Sequence, residues 1–404
     1  MKRIRRSIYI ISILSVIVAC NVALPVPTGT ATNASLATLL PTTTTIVSTP
    51  SSGISPISPT QLATVTPTPY PEVIDKTNVE RLALLRQWDV ENLAYSYDSA
   101  NFWFADSNQF LVPMIGSPSM VGLQSFAVDS STPLWFIPSL QVDFTINEHD
   151  EVMLNLEGIK AFNKQGEEIQ TIRANERCDV YSPLSNYTLA IPDADLVITG
   201  VQDSYRDFGL NGDNTDKARV LIWDISNNTC SDLIEQFDGI ITSLSASYDG
   251  HYISYVVVVQ TTDPSGRTTR IFDLKLRKEK CELVGGLDAH FTRQGQLVVY
   301  DVTDDSISVV MPEDCTVEKK FNVGTEIMSA FSLSPNGELL AGVTDFAVLF
   351  WNLQTGEKLR EIGIGEPNLR IIGFSPDGRF LVTAKRADDL LKKDKLMLWG
   401  ISEE

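Results

Sequence analysis

The feature that most constrains this chain is a turn that keeps returning. Ser375-Pro376-Asp377-Gly378, Ser334-Pro335-Asn336-Gly337 and Tyr248-Asp249-Gly250 each separate two short β-rich runs, such as Arg370-Ile371-Ile372-Gly373-Phe374 and Phe380-Leu381-Val382-Thr383-Ala384. Fainter copies stand at residues 292–295, 182–186, 147–150 and 105–108. Proline fixes φ and Asn or Gly accepts left-handed backbone, so each copy closes a tight antiparallel connection. From first copy to last the steps are 41, 37, 64, 45, 42 and 41 residues, which makes seven units. The 64-residue step is one unit with an insertion between Thr199 and Lys217, where Gly, Asn and Asp crowd together. A period of about 40–45 residues with four short strands per unit is the signature of propeller blades. The expected fold is therefore all-β, a seven-bladed β-propeller over residues 78–404.

The third strand of several units ends in an aromatic followed by a polar or small residue: Leu221-Ile222-Trp223-Asp224, Arg270-Ile271-Phe272-Asp273, Leu349-Phe350-Trp351-Asn352 and Met397-Leu398-Trp399-Gly400. These resemble the Trp-Asp signature of the WD-repeat β-propeller family, and Asp345 precedes Trp351 by the six residues usual in that family. The resemblance implies a ring of radial four-stranded antiparallel blades. It departs from the family in lacking the Gly-His dipeptide that opens each repeat. With three histidines in the chain, the family's His–Ser–Asp–Trp tetrad cannot be built in every blade.

The last unit poses a closure problem. Beyond Trp399 only Gly400 to Glu404 remain, so the seventh sheet is one outer strand short. An open edge of that kind is an aggregation template. The unassigned strand-length segment Val79 to Val90, with Leu82, Leu84, Leu85 and Trp88, is expected to supply the missing strand and close the ring.

The first residues carry an address. Lys2, Arg3, Arg5 and Arg6 precede a stretch from Ile8 to Ala19 that is too short to span a bilayer. Ile17-Val18-Ala19-Cys20 resembles the lipobox of bacterial lipoproteins, which implies a signal peptide over residues 1–19 and lipidation of Cys20. Two or more acyl chains on that cysteine would anchor the protein stably to a membrane. Loss of the four basic residues takes the net charge from −19 to −23. Between Asn21 and Pro71 no residue is charged, and 28 of the 51 positions are Pro, Ser or Thr, too few apolar groups to bury a core. Residues 20–77 thus read as a disordered, extended linker that lifts the ring off the membrane.

Function is less legible than architecture. The acidic balance argues against a nucleic-acid partner, because phosphate contacts need a Lys/Arg face. His149, His251 and His290 show no metal-ligand spacing, and nothing resembles a nucleophile elbow, so binding rather than catalysis is expected, with no cofactor. Loops held by a rigid scaffold are where contacts concentrate. The candidate surface is the face of the second-to-third-strand loops, with Tyr205, Arg206 and Phe208 in blade 3 and Lys385 and Arg386 in blade 7. Asp203, Asp207, Asp213 and Asp216 offer oxygen ligands to calcium, without the alternate-residue spacing of an EF-hand. The reading is a lipid-anchored, extracytoplasmic, monomeric module for a protein, peptide or glycan. The alternative is an enzyme or accessory subunit with a ligand at the ring's mouth. Cys178, Cys230, Cys281 and Cys315 are expected as free, partly buried thiols, since outer strands diverge radially beyond bridging distance.

Overall fold

A computed structural model describes residues 71–402 apart from 92, 94–101, 116–120, 140–142, 156–157, 174–177, 179–186, 203–216, 260–265, 325–327, 365–367 and 388–392. Seven antiparallel sheets follow one another along the chain, each running from an inner to an outer strand. Blade 1 holds β2 (Gln109–Ile115), β3 (Val121–Ala127) and β4 (Phe136–Pro138). Its innermost position is filled by Phe102–Phe104, where Leu111 N–H donates to Phe102 O at 2.8 Å and Phe104 N–H to Gln109 O at 3.0 Å. Blade 2 is β5 (Phe144–Ile146), β6 (Val152–Asn155), β7 (Gly158–Phe162) and β8 (Glu168–Arg173). Blade 3 is β9 (Tyr187–Ile191), β10 (Leu196–Gln202), β11 (Lys217–Asp224) and β12 (Thr229–Asp238). Blade 4 is β13 (Ile240–Ala246), β14 (Tyr252–Val258), β15 (Arg267–Asp273) and β16 (Lys278–Val284).

Blade 5 is β17 (Asp288–Phe291), β18 (Leu297–Asp301), β19 (Ser306–Val310) and β20 (Val317–Asn322). Blade 6 is β21 (Ala330–Leu333), β22 (Leu339–Val343), β23 (Ala347–Asn352) and β24 (Lys358–Gly363). Blade 7 takes β25 (Leu369–Phe374), β26 (Leu381–Lys385) and β27 (Asp394–Ile401) from the end of the chain. Its outer strand is β1 (Leu82–Val90), paired with β27 from Leu82↔Ile401 to Val90↔Asp394. Sequence and structure agree on the seven blades and on the strand that closes them.

The repeated turn has a repeated chemistry. In blade 6 the Ser334 hydroxyl accepts the Leu339 N–H at 2.9 Å and donates to Asn336 Oδ1 at 2.6 Å, while Gly337, at φ +71°, donates its N–H to Ser334 O. Ser247 and Ser375 do the same with Tyr252 and Asp249, and with Phe380 and Asp377. A short hydroxyl side chain reaches both partners, and glycine takes that φ at no steric cost, whereas Ser107 and Asp150 hold the matching position in blades 1 and 2 at φ +58° and +59°.

The apolar core lies between blades rather than at the axis. On β11, Ala218 and Val220 pack toward blade 4, and Leu221 and Trp223 pack toward blade 2. Six buried clusters of this kind cover all seven seams. Both faces of the middle strands are therefore dry, which is why β22 reads Leu-Leu-Ala-Gly-Val and is buried throughout. Outer strands meet solvent and read mixed, as in Lys278–Val284. Near the axis, hydroxyls stitch neighbouring inner strands: Thr145, Ser245 and Ser332 each accept, at 3.2 Å, a backbone N–H from Ala190, Phe291 and Phe374 of the following blade.

Two expectations need correction. The four cysteines are paired, Cys178 with Cys230 and Cys281 with Cys315, at Cα separations of 6.3 and 6.2 Å. Outer strands do diverge, but neither bridge joins two outer strands. Cys315 lies in the turn before β20 at φ +63°, which bends it back toward β16 of blade 4, and Cys178 lies in the passage into blade 3 rather than in its inner strand. The packed body also begins before residue 78. Ile74 is fully buried and its N–H donates to Gly378 O at 2.8 Å, a docking that a lone Val73-Ile74 pair in a polar stretch does not announce.

The Cys281–Cys315 bridge closes a 34-residue loop across two blades. Replacing both cysteines by serine should lower the free energy of unfolding by roughly 3–4 kcal/mol through restored chain entropy, read as a lower urea midpoint.

Candidate functional site

Strands alternate in direction, so second-to-third-strand loops and blade-to-blade passages share one side of the ring, the loop face. First-to-second and third-to-fourth turns share the other, the turn face. The strand ends that bound the three long insertions, at Gln202, Val258 and Lys385, lie on the loop face, and most of the inserted residues lie outside the described ones. Tyr205, Arg206, Phe208, Asp203, Asp207, Asp213 and Asp216 lie outside the described residues, as does Cys20. Lys385 is the last residue of β26, opposite Lys395, and is buried, so it offers little contact surface. Arg386 is half-buried, with its N–H donating to Asn368 O at 3.0 Å.

What organises the blade-7 stem is Asp394, which sequence reasoning did not single out. Its buried carboxylate accepts the Leu93 N–H at 2.6 Å and the Ala387 N–H at 2.8 Å, so one side chain ties the loop stem to the continuation of the outer strand. The nearby Lys393–Glu91 pair at 3.7 Å is exposed and worth little. Phe346, 58% exposed in the blade-6 loop, adds an aromatic to the same face. Its signal was faint: Asp345-Phe346 is a tight connection between two buried strands.

A second cluster lies on the inner strands. Asp288 Oδ1 accepts the Ser243 hydroxyl of blade 4 at 3.0 Å and the Ala289 N–H at 2.9 Å, and Oδ2 lies 3.0 Å from His290 Nε2. The His290 ring meets Phe331 of blade 6 edge-on at 4.8 Å. Burial pushes the Asp288 carboxyl up, but the facing His290 and the hydrogen bonds from His290, Ser243 and Ala289 outweigh it and hold the group below the usual carboxylate range. Every partner is internal and Ser243 bonds the carboxylate rather than the imidazole, so the arrangement locks three blades together and does not activate a nucleophile. Two polar residues at alternate positions of a strand, Asp288 and His290, were the sequence signal for a shared face.

Among the described residues no group of three or more His, Cys, Asp or Glu side chains could hold a metal ion. The Trp223 indole donates to Thr199 Oγ1 and the Trp399 indole to Thr383 Oγ1, both at 2.9 Å, each from the third strand of its blade to the second. No family model matches the chain, and no curated protein matches it in sequence.

A carboxyl held low in the folded state stabilises above its unfolded pKa of about 3.9, and that contribution is lost as pH falls through the folded value. Asp288→Ala should cost about 3 kcal/mol at neutral pH by leaving Ser243 and His290 unpartnered. Urea titrations from neutral to acid pH check both points: the substitution should flatten part of the acid-side decline seen in the parent chain.

Proposed function

We propose that the protein is a membrane-tethered, extracytoplasmic interaction module that presents its loop face to a protein, peptide or glycan. The observation that carries this reading is where the chain joins the ring. Residues 72–78 lie on the turn face, with Ile74 N–H on Gly378 O and Lys76 Nζ 2.7 Å from Glu338 Oε1. The strand ends that bound the long insertions of blades 3, 4 and 7 lie on the opposite, loop face. Long insertions gathered on one face of a rigid ring are the arrangement a binding surface needs.

Compartment and partner class have their own support. Two disulfides persist in oxidising surroundings and are rare in reducing ones, which agrees with the export address at Cys20. The net charge of −19 keeps the chain soluble and disfavours phosphate-rich partners. The Trp–Thr bonds of blades 3 and 7 support the likeness to WD-repeat propellers, whose third-strand tryptophan they share.

Two measurements test the reading. A Cys20→Ser chain should lose incorporation of labelled fatty acid and leave the membrane fraction, whereas retention there would remove the lipid anchor from the proposal. Crosslinking on intact cells should yield the same partner with the parent chain and with Phe346→Ala weakened severalfold, and a chain shortened across residues 203–216 should lose it. Unchanged capture by the shortened chain would remove the loop face as the binding surface.

A further inference from the structure

A cleft of about 270 Å3 opens on the turn face between blades 3 and 4, opposite to the loop face. Its floor is apolar, from Leu196, Ile222, Leu233 and Leu274, and its wall is the backbone of the Gly250 turn. The same place in the repeat, between blades 6 and 7, is already filled. The register between the two follows from shared hydrogen bonds. Ile225 N–H donates to Asp195 O in blade 3 as Leu353 N–H does to Glu338 O in blade 6, both at 2.8 Å. Gly250 and Gly378 close their turns with the same N–H bond, to Ser247 O and Ser375 O. Leu196, Ile222 and Leu274 thus stand where Leu339, Phe350 and Ile401 stand, three residues two positions from or adjacent to matching strand signals.

In the filled groove the occupant is the chain's own segment 72–78. Ile74 is fully buried in one apolar cluster with Leu339, Phe350 and Ile401, its N–H bonds the Gly378 carbonyl, and Lys76 ion-pairs Glu338. The unfilled groove repeats the apolar floor and the Gly250 turn, and beside its lining Asp195, whose carboxylate accepts the Ser226 hydroxyl, holds the repeat position of Glu338. Asp193 and Asp249 add two acidic groups to its rim. The single guanidinium there, Arg277, donates to Asp232 O at 3.4 Å.

We infer that the blade 3–4 cleft is a second docking site, for an extended peptide with a branched aliphatic residue followed two positions later by lysine or arginine. The aliphatic side chain fills the apolar floor, the same residue's backbone N–H donates to the Gly250 carbonyl, and the cation meets Asp195. The protein's own residues 73–76 display that chemistry in the twin groove, so the ligand class is read from an occupied copy. This site is independent of the loop-face proposal, since it lies on the other side of the ring.

The test uses the full chain and a fluorescein-labelled peptide copying residues 71–79, followed by polarisation. Saturable binding is expected, weakened roughly ten- to a hundredfold by Ile74→Asp in the peptide, as burial of one aliphatic side chain requires. Ala194→Phe in the protein, which fills the cleft from its half-exposed turn, should weaken binding comparably without shifting the melting temperature. Asp195→Lys should weaken the parent peptide and improve the Lys76→Glu peptide, a charge swap that a misfolded variant could not produce. Absence of saturation up to millimolar peptide, or binding indifferent to Ala194→Phe, overturns the inference. Tighter binding of a peptide covering residues 21–70, or peptide-competed self-association of the chain, would assign the cleft to the chain itself and also overturn it.

Discussion

The pairing of β1 with β27 is the constraint on which the rest of the ring depends. Each blade buries its two faces only against its neighbours, so no blade can bury its own apolar strands alone. The seam between blades 7 and 1 exists only if both sheets are complete there, and the strand that completes blade 7 comes from the beginning of the folded region. β1 does this twice over. Eight residue pairs along β27 supply the ladder. From the same strand Trp88 crosses to blade 1, meets Phe110 edge-on at 5.8 Å and Phe126 at 5.7 Å, and donates its indole N–H to Ser130 O. One strand therefore removes an open sheet edge and seals an apolar seam, and the long-range closure is what makes seven local sheets a single cooperative body.

How much of this the amino-acid order reveals depends on how local the physics is. The Ser-x-Asx-Gly turns are legible because their chemistry spans four residues and admits few alternatives. The insertion after Gln202 shows as a break in the period, and the closing strand shows because the final unit falls one strand short. What stayed hidden depends on where distant segments bend. Cys315 comes within reach of Cys281 through a left-handed turn residue, a conformation that no composition signal marks at a cysteine. Phe102–Phe104 forms the inner edge of blade 1 through two hydrogen bonds only, too short a run to register as a strand. Lys385 looked like loop surface because lysine usually is, yet it is the last residue of β26, paired with Lys395, and is buried. The Asp288–His290–Ser243 network needs the inner strands of blades 4 and 5 side by side, a neighbourhood 45 residues apart in the chain.

The two faces of the ring are not equivalent, and the difference traces to where the chain joins it. The turn face carries short, hydrogen-bonded turns that lean on one another: Ala105 N–H bonds Asp150, Asp193 N–H bonds Glu148, and Asp377 N–H bonds Ser107 of the next blade. Such a surface is rigid and reads as a scaffold. The loop face holds the strand ends that bound the long insertions.

The covalent bridges follow the same division of labour around the ring. The arc from blade 6 through blade 7 to blade 1 is held by the ladder, by Trp88 and by the docked segment around Ile74. Among the described residues blades 3, 4 and 5 show no such strap, and it is there that both disulfides act: one ties the passage into blade 3 to that blade's outer strand, and the other ties blade 4 to blade 5. The cleft between blades 3 and 4 sits within this stapled arc. An unfilled apolar groove at a seam invites the flanking blades to close over it, because the lining loses contacts on its open side. Neither bridge crosses the blade 3–4 seam, but one stiffens blade 3 and the other ties blade 4 to blade 5. Stiffer flanks yield less to that collapse, and a peptide docking there would carry a smaller ordering cost than one that had to open the groove.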